Sequence, residues 1–335
     1  MNQVPLTPLQ RSVVLTLTYS DIFDHPLTLE EVHRFLVLVT ATKSEVAEAL
    51  TSLEGRLIWQ SDGYFGLLGR EANIATRERR ARYCRGRWDS AQEFATWLAR
   101  VPFVRMVAVC GSQAVENGDT DGDVDFFLIA RGGRLWIVQV LTMLLRRVAH
   151  RRLGHMCPNH FMTTTSLDAT RRDLYTAREI AQVVPLWGEA EYDNFVEANS
   201  WVAALLPHAT GAAHRERLRP RSASRWARGF EWLLGGIIGH ALDQVLHRLL
   251  LLYYPIRLRR RGLRTSDVEA AYRRDRQTVI AGGYSIPVEH AFRARVQERL
   301  GEVEEMKLLF PASPEAKAHP VYSQLLAEHY GGGVV

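Results

Sequence analysis

Two short apolar runs constrain this chain more than any other feature: VRMVAVC at 104–110 and DVDFFLIA at 123–130. Each is too short for a typical helix and rich in β-branched or aromatic side chains, so each predicts a strand. Between them stand Gly111 and Ser112, then a loop carrying Asp119 and Asp121, then Asp123 and Asp125 at the entry to the second run. Side chains alternate across a strand, so Asp123 and Asp125 point one way while Val124 and Phe126 point into a core. Two carboxylates so spaced repel each other when bare, and a hard divalent cation between them relieves the repulsion. The Gly-Ser turn offers backbone N–H groups and a hydroxyl to a phosphate chain, and glycine lets phosphates approach the backbone closely. Together these features suit metal-assisted nucleotidyl transfer.

The flanks are mostly helical. LTPLQRSVVLTLTYS has a threonine cap, a first-turn proline and helical apolar spacing; PLTLEEVHRFL adds Thr28 with Glu31 as a capping box. A third helix ends near Gly55, and LIWQ and YFGLL around SDG predict a hairpin, so the first segment reads as winged-helix-like. Its third helix carries Glu45, Glu48 and Glu54 against Lys43, which suits an interaction or structural role better than DNA reading. The arginine-rich stretch at 73–100 reads as a connecting helix with a solvated basic face. Beyond the second strand the pattern predicts a buried helix at 134–152, a strand at 158–167 and a helix ended by Pro185. Helices are predicted again at 190–206, 224–254, 265–281 and 287–309, and a frayed tail at the GGGVV end.

Lys and Arg number 42 against 37 Asp and Glu, a net charge of +5 that points only weakly to an anionic partner. Three cysteines without paired spacing imply neither a disulfide framework nor a zinc site. No charged-then-apolar leader opens the chain, so the cytoplasm is the expected compartment. The segment 229–254 is long enough to span a membrane, but Glu231, His240, Asp243, His247 and Arg248 interrupt it. Each charge costs about 2.5–3.5 kcal/mol near a bilayer centre, so a buried or amphipathic helix is expected. The basic run that follows, 257–264, reads as a solvated helix end.

Gly111-Ser112, ten residues, then Asp123-Val124-Asp125 resembles the signature of the DNA polymerase beta-like nucleotidyltransferase superfamily. YSDIFDHPLTLEEVHRFL, GRLWIVQV, CPNHF, RDLYTAREIA, PLWG and EANSWVAALLP widen the likeness, over roughly 10–210, to a bacterial nucleotidyltransferase family with an N-terminal winged-helix-like unit. The resemblance implies an α+β protein: a winged-helix-like unit at 1–72, a nucleotidyltransferase-type mixed sheet with its connecting helix at 73–187, and a helical region at 188–335. It implies that Gly111 and Ser112 hold the terminal phosphates of an NTP, and that Asp123 and Asp125 coordinate one or two Mg2+ ions. A nucleoside monophosphate would pass to a small-molecule or protein acceptor. Nucleic acid is not favoured as a partner.

The superfamily places a third carboxylate on a neighbouring strand. Here that strand, PNHFMTT, carries Asn159 or His160 at the position instead. Asn159 offers a carbonyl ligand and His160 a base. On the next helix Glu179 is a substitute acid, and Arg171, Arg172 or Arg178 is a phosphate ligand. The alternative is a nucleotide-binding regulatory protein with little or no turnover. DTDGDVD also resembles the start of an EF-hand loop, but Val124 stands where glycine and Ala130 where glutamate is required.

Overall fold

A computed structural model describes residues 5–120, 122–209, 215–219, 225–260, 268–272, 274–281 and 285–311. The first unit runs α1 (Pro8–Asp21), β1 (Leu27–Thr28), α2 (Leu29–Arg34), α3 (Lys43–Leu53), β2 (Ile58–Ser61) and β3 (Tyr64–Leu67). All three helices start on a threonine whose hydroxyl accepts the N3 amide while the N3 side chain returns to the cap amide. Such reciprocal caps satisfy first-turn donors that otherwise lack partners. The strands pair in the order β1-β3-β2, all antiparallel. Val13, Leu17, Val32, Leu50 and Leu67 fill a core belonging to this unit.

Helix α4 (Asn73–Leu98) leads into β4 (Val104–Cys110), the one-turn α5 (Gly111–Ala114), β5 (Val124–Ala130), α6 (Leu135–Leu153) and β6 (Met156–Thr163). Next come α7 (Leu174–Gln182), β7 (Val184–Trp187), α8 (Glu189–Ala198) and α9 (Val202–Leu205). A single 3-10 turn, α10 (Arg225–Leu233), α11 (Ile237–Arg260), β8 (Val268–Tyr272), β9 (Arg276–Ala281), α12 (Ser285–Leu300) and α13 (Glu305–Leu309) complete the described chain. One mixed sheet gathers six strands in the order β7-β4-β5-β6-β9-β8, and only β5 and β6 run parallel.

The sheet is covered on both faces, which explains why β5 is apolar at nearly every position. Val124, Phe126 and Leu128 face a core shared with Phe94 of α4, Trp136 of α6 and Leu250 of α11. Phe127 and Ile129 face the other, with Leu174 of α7, Phe195 of α8 and Phe292 of α12.

Four segments differ from the sequence expectation. Residues 268–281, expected within a helix, form the β8–β9 hairpin, whose β9 pairs with β6. The open edge of β6 rewards backbone pairing, and the Thr278-Val279-Ile280 run has high strand propensity. Residues 184–187 form strand β7 despite Pro185, because β7 is an edge strand and its register with β4 shifts beside Pro185, between Val107 and Ala108. The helix expected over 287–309 is broken at Gly301, which has φ +71°, and the one over 224–254 at Gly235–Gly236. The tail beyond Pro311, including GGGVV, lies outside the described residues. Among those described, no helix is long and apolar enough to cross a membrane.

Phe126 is fully buried and packs edge-on against Phe94, with ring centroids 5.2 Å apart. Phe126→Ala is expected to lower unfolding stability by about 3–5 kcal/mol, read from guanidinium denaturation. A change under 1 kcal/mol would show that this face of the sheet is not the main core.

Candidate functional site

Strand β4 ends at Cys110, which lies opposite Asp125 in the antiparallel register with β5. The chain then turns at Gly111 with φ +64° and makes the single turn of α5. A Cβ at Gly111 would sit 3.0 Å from Asp125 Oδ2. Glycine is therefore required twice, for its left-handed backbone and for the closeness of the carboxylate. Ser112 is exposed at the mouth of this turn, and its carbonyl accepts the Asn117 amide at 2.8 Å.

Asp125 shares its sheet face with Phe127 and with Cys157, its register partner on β6. A register shift between Phe126 and Phe127 sets Asn159 out of the regular pairing. From there Asn159 donates Nδ2 to Asp125 Oδ1 at 2.7 Å, while its own Oδ1 is buried with no hydrogen-bond partner. Burial first, then the neighbouring charges of Asp123 and Glu179, raise the Asp125 pKa from 3.8 to about 7. The Asn159 bond and Arg146 oppose that rise. Asp125 is nevertheless only partly buried, so the enclosed carboxyl keeps a face open to solvent.

Asp123 has nitrogen-bearing neighbours: His155 Nδ1 lies 3.4 Å from its Oδ1 and Arg146 Nη2 3.7 Å from its Oδ2. Glu179, on α7, accepts from Gln182 Nε2 at 3.2 Å. Burial lifts its pKa from 4.5 to about 7 as well. Three carboxylates of one electrostatic neighbourhood thus come from a strand entry, a strand and a helix. Among the described residues, no group of three or more His, Cys, Asp or Glu is gathered to hold a metal ion. Asp123, Asp125 and the orphaned carbonyl of Asn159 supply hard oxygen donors of the kind Mg2+ takes, one or two carboxylates being its usual protein share.

The other candidate residues fall differently. His160 pairs in register with Phe127, beyond the aspartates, and burial lowers its pKa to about 4, which leaves it neutral at pH 7. Arg178, expected to bind phosphate, is instead buried with its guanidinium 3.7 Å from the Phe35 ring centroid and 5.0 Å from that of Tyr19. Helix α7 turns it toward the first unit because that aromatic pocket covers a cation that would otherwise be bare. Arg171 pairs with Asp173 at 2.7 Å and donates to Ser285. Asp119 pairs with Arg80 at 3.0 Å, and Asp121 lies outside the described residues.

The sequence reading missed a further set of residues. The arginine-rich face of α4, expected to be solvated, holds the loop between Gly111 and Asp123. Arg77 donates to the Val115 carbonyl at 3.0 Å, Arg80 to Asn117 Oδ1 at 3.3 Å and to Asp119, and Arg87 to the Gly122 carbonyl at 2.7 Å. Tyr83 donates to the Thr120 carbonyl at 2.6 Å, and Cys84 Sγ accepts the Gly118 amide at 3.1 Å. The 77, 80, 84, 87 spacing of one helix face was the available signal. No protein-family model, curated protein or solved structure matches the chain.

The folded protein holds the Asp125 proton more tightly than the unfolded chain does. The resulting stabilisation is complete below the ordinary carboxyl pKa and is lost as pH climbs through about 7. Glu179 acts in the same direction. Asp125→Asn and Glu179→Gln should each gain stability relative to wild type as pH rises from about 4 to about 7, by up to about 1.4 kcal/mol per pH unit. Denaturation midpoints across that range measure it, and parallel curves for variant and wild type would refute the burial argument.

Proposed function

We propose that the chain is a Mg2+-dependent nucleotidyltransferase that moves a nucleoside monophosphate from an NTP to a small-molecule or protein acceptor. This reading rests on its resemblance to the DNA polymerase beta-like superfamily. The observation that carries it is the contact between a left-handed Gly111 and the Asp125 carboxylate, at the point where two antiparallel strands end and begin. That contact brings the phosphate-receiving turn beside the carboxylate pair.

The roles follow from each group's surroundings. The first-turn amides of α5 and the Ser112 hydroxyl receive terminal phosphate oxygens, since helix-start N–H groups have no intrahelical partner. Asp123 and Asp125 would hold Mg2+, which when bound neutralises developing phosphate charge. A cation at Asp123 competes with Arg146 and His155, and a cation at Asp125 displaces its proton. Glu179, with a pKa near neutrality, is suited to accept the proton of the acceptor hydroxyl. Exposed Glu48, together with the Lys43–Glu30 pair on the first unit, argues against a duplex-binding face there. The three-stranded layout of that unit supports a winged-helix-like module used for contact within the chain.

Asn159 favours a second reading, a nucleotide-binding regulator without turnover. It is an amide donating to Asp125 where the superfamily has an acid.

Pyrophosphate release with each NTP and Mg2+, over a panel of hydroxyl acceptors, tests the enzyme. Asp123→Asn and Asp125→Asn should each reduce turnover by about 100-fold or more. Full turnover in Asp123→Asn would end this reading. Calorimetry showing Mg2+-dependent NTP binding without product would select the regulator. In either case Mg2+ affinity should rise between pH 6 and 8, because binding competes with the Asp125 proton.

A further inference from the structure

The apolar segment at 229–254, expected to be a buried or amphipathic helix, is buried on one face only. Helix α11 presents two faces. One docks on α6: Asp243 Oδ1 accepts the Trp136 and Ile137 amides at 2.9 and 3.0 Å, His247 stacks on Trp136, and Tyr254 accepts from Gln139 at 2.7 Å. The opposite face carries Ile238, Leu242, Val245, Leu249, Leu252 and Ile256, between 38% and 72% exposed. At the α10–α11 turn, Trp232 is 85% and Ile237 89% exposed.

The six outward positions alternate steps of four and three residues without interruption. That is the 3.5-residue period of a helix that supercoils against another helix. Every seam position is an aliphatic residue, with no polar side chain to impose a foreign partner or a particular register. Each side chain offers roughly 100 Å² of apolar surface, so a pair of seams with the turn residues buries somewhat over ~1,200 Å², within the range of stable interfaces. One copy's share, about 600 Å² before the turn residues are added, lies at the upper end of the largest apolar patch of an ordinary monomer.

The described remainder of the chain does not supply the cover. After α11 it enters the sheet at β8–β9, and α12 and α13 then pack Phe292, Leu309 and Phe310 into the core on the sheet face opposite α11. A lipid surface is disfavoured by charge. Between Ile237 and Ile256, Arg248 is the one Lys or Arg, and Arg257, Arg259 and Arg260 follow the seam in the helix's last turn, whereas interfacial helices carry several along the polar face.

We propose that two copies of this chain associate through α11, each burying the Ile238–Ile256 seam against the same seam of the other about a two-fold axis. The seam includes none of the residues assigned to the Gly111–Asp125 site.

Sedimentation velocity of the full chain should give the two-copy mass at micromolar concentration, unchanged in high salt. Val245→Glu/Leu252→Glu should give the single-copy mass with unaltered far-ultraviolet circular dichroism. A wild-type monomer overturns the proposal, and so does a dimer that survives this double substitution. A monomer that co-sediments with phosphatidylserine vesicles also overturns it and reassigns the face to lipid. Should the double variant fail to fold, Leu249→Cys offers an independent reading. Mild oxidation should trap it as a disulfide-linked pair, whereas Gln60→Cys on the exposed hairpin should stay monomeric. Equal trapping of both, or of neither, counts against the seam.

Discussion

One face of α4 holds the loop on which the candidate site depends. Between the Gly-Ser turn and Asp123 the backbone has little regular structure of its own, and its exposed carbonyls would otherwise be satisfied by water. Arg77, Arg80 and Arg87, with Tyr83 and Cys84, take those groups instead. A planar guanidinium serves several acceptors at once, so three arginines can fix a loop of ten residues. The same residues reach the first unit. Arg77 bonds Glu31 at 2.8 Å, and Asn117 and Arg80 both donate to the Phe23 carbonyl. Loop, connecting helix and N-terminal unit are thus one hydrogen-bonded body.

The constraint this body maintains is electrostatic. Asp125 and Glu179 are placed where burial favours their protonated forms, and holding them there lowers stability at neutral pH. A protein selected for stability alone would fill those positions with apolar side chains. Cys110 and Cys157 flank Asp125, and burial raises both thiols, Cys157 to about 12, so both stay neutral and add no further negative charge. On the proposed reading a hard cation would relieve this mismatch, and the unpartnered Asn159 carbonyl would offer it a further oxygen.

Much of the frame was legible in the sequence because local chemistry decides it. Thr28 with Glu31 specifies a helix start whatever surrounds it, and the β4 and β5 runs admit few alternatives to strands. The errors lie where tertiary context overrules local pattern. Pro185 ends a helix in isolation but is tolerated on an edge strand. Residues 268–281 pair only because β6 leaves an edge. Asp123, Asp125 and Gly111 could be singled out by spacing, since a strand and a turn give spacing a fixed meaning. Arg178 could not be placed, because helical periodicity alone does not say which neighbour supplies the aromatic pocket. The basic face of α4 looked solvated for a related reason: its acceptors are main-chain carbonyls of a distant loop, which no side-chain pattern announces.

Arg178 and Arg77 also bear on why a first unit should accompany such a site. Arg178 belongs to the same helix as Glu179, and its guanidinium lies between Phe35 and Tyr19 of the first unit. Any shift of that unit moves α7, and with it the neighbouring carboxylate. Arg77 joins the same unit to the loop, beside a buried His25 whose pKa is driven well below its ordinary value by burial and by Arg77. Both walls of the carboxylate site, the helix bearing Glu179 and the loop leading to Asp123, are therefore anchored on α1 and α2. Through these contacts the N-terminal unit positions two of the elements that border the carboxylates.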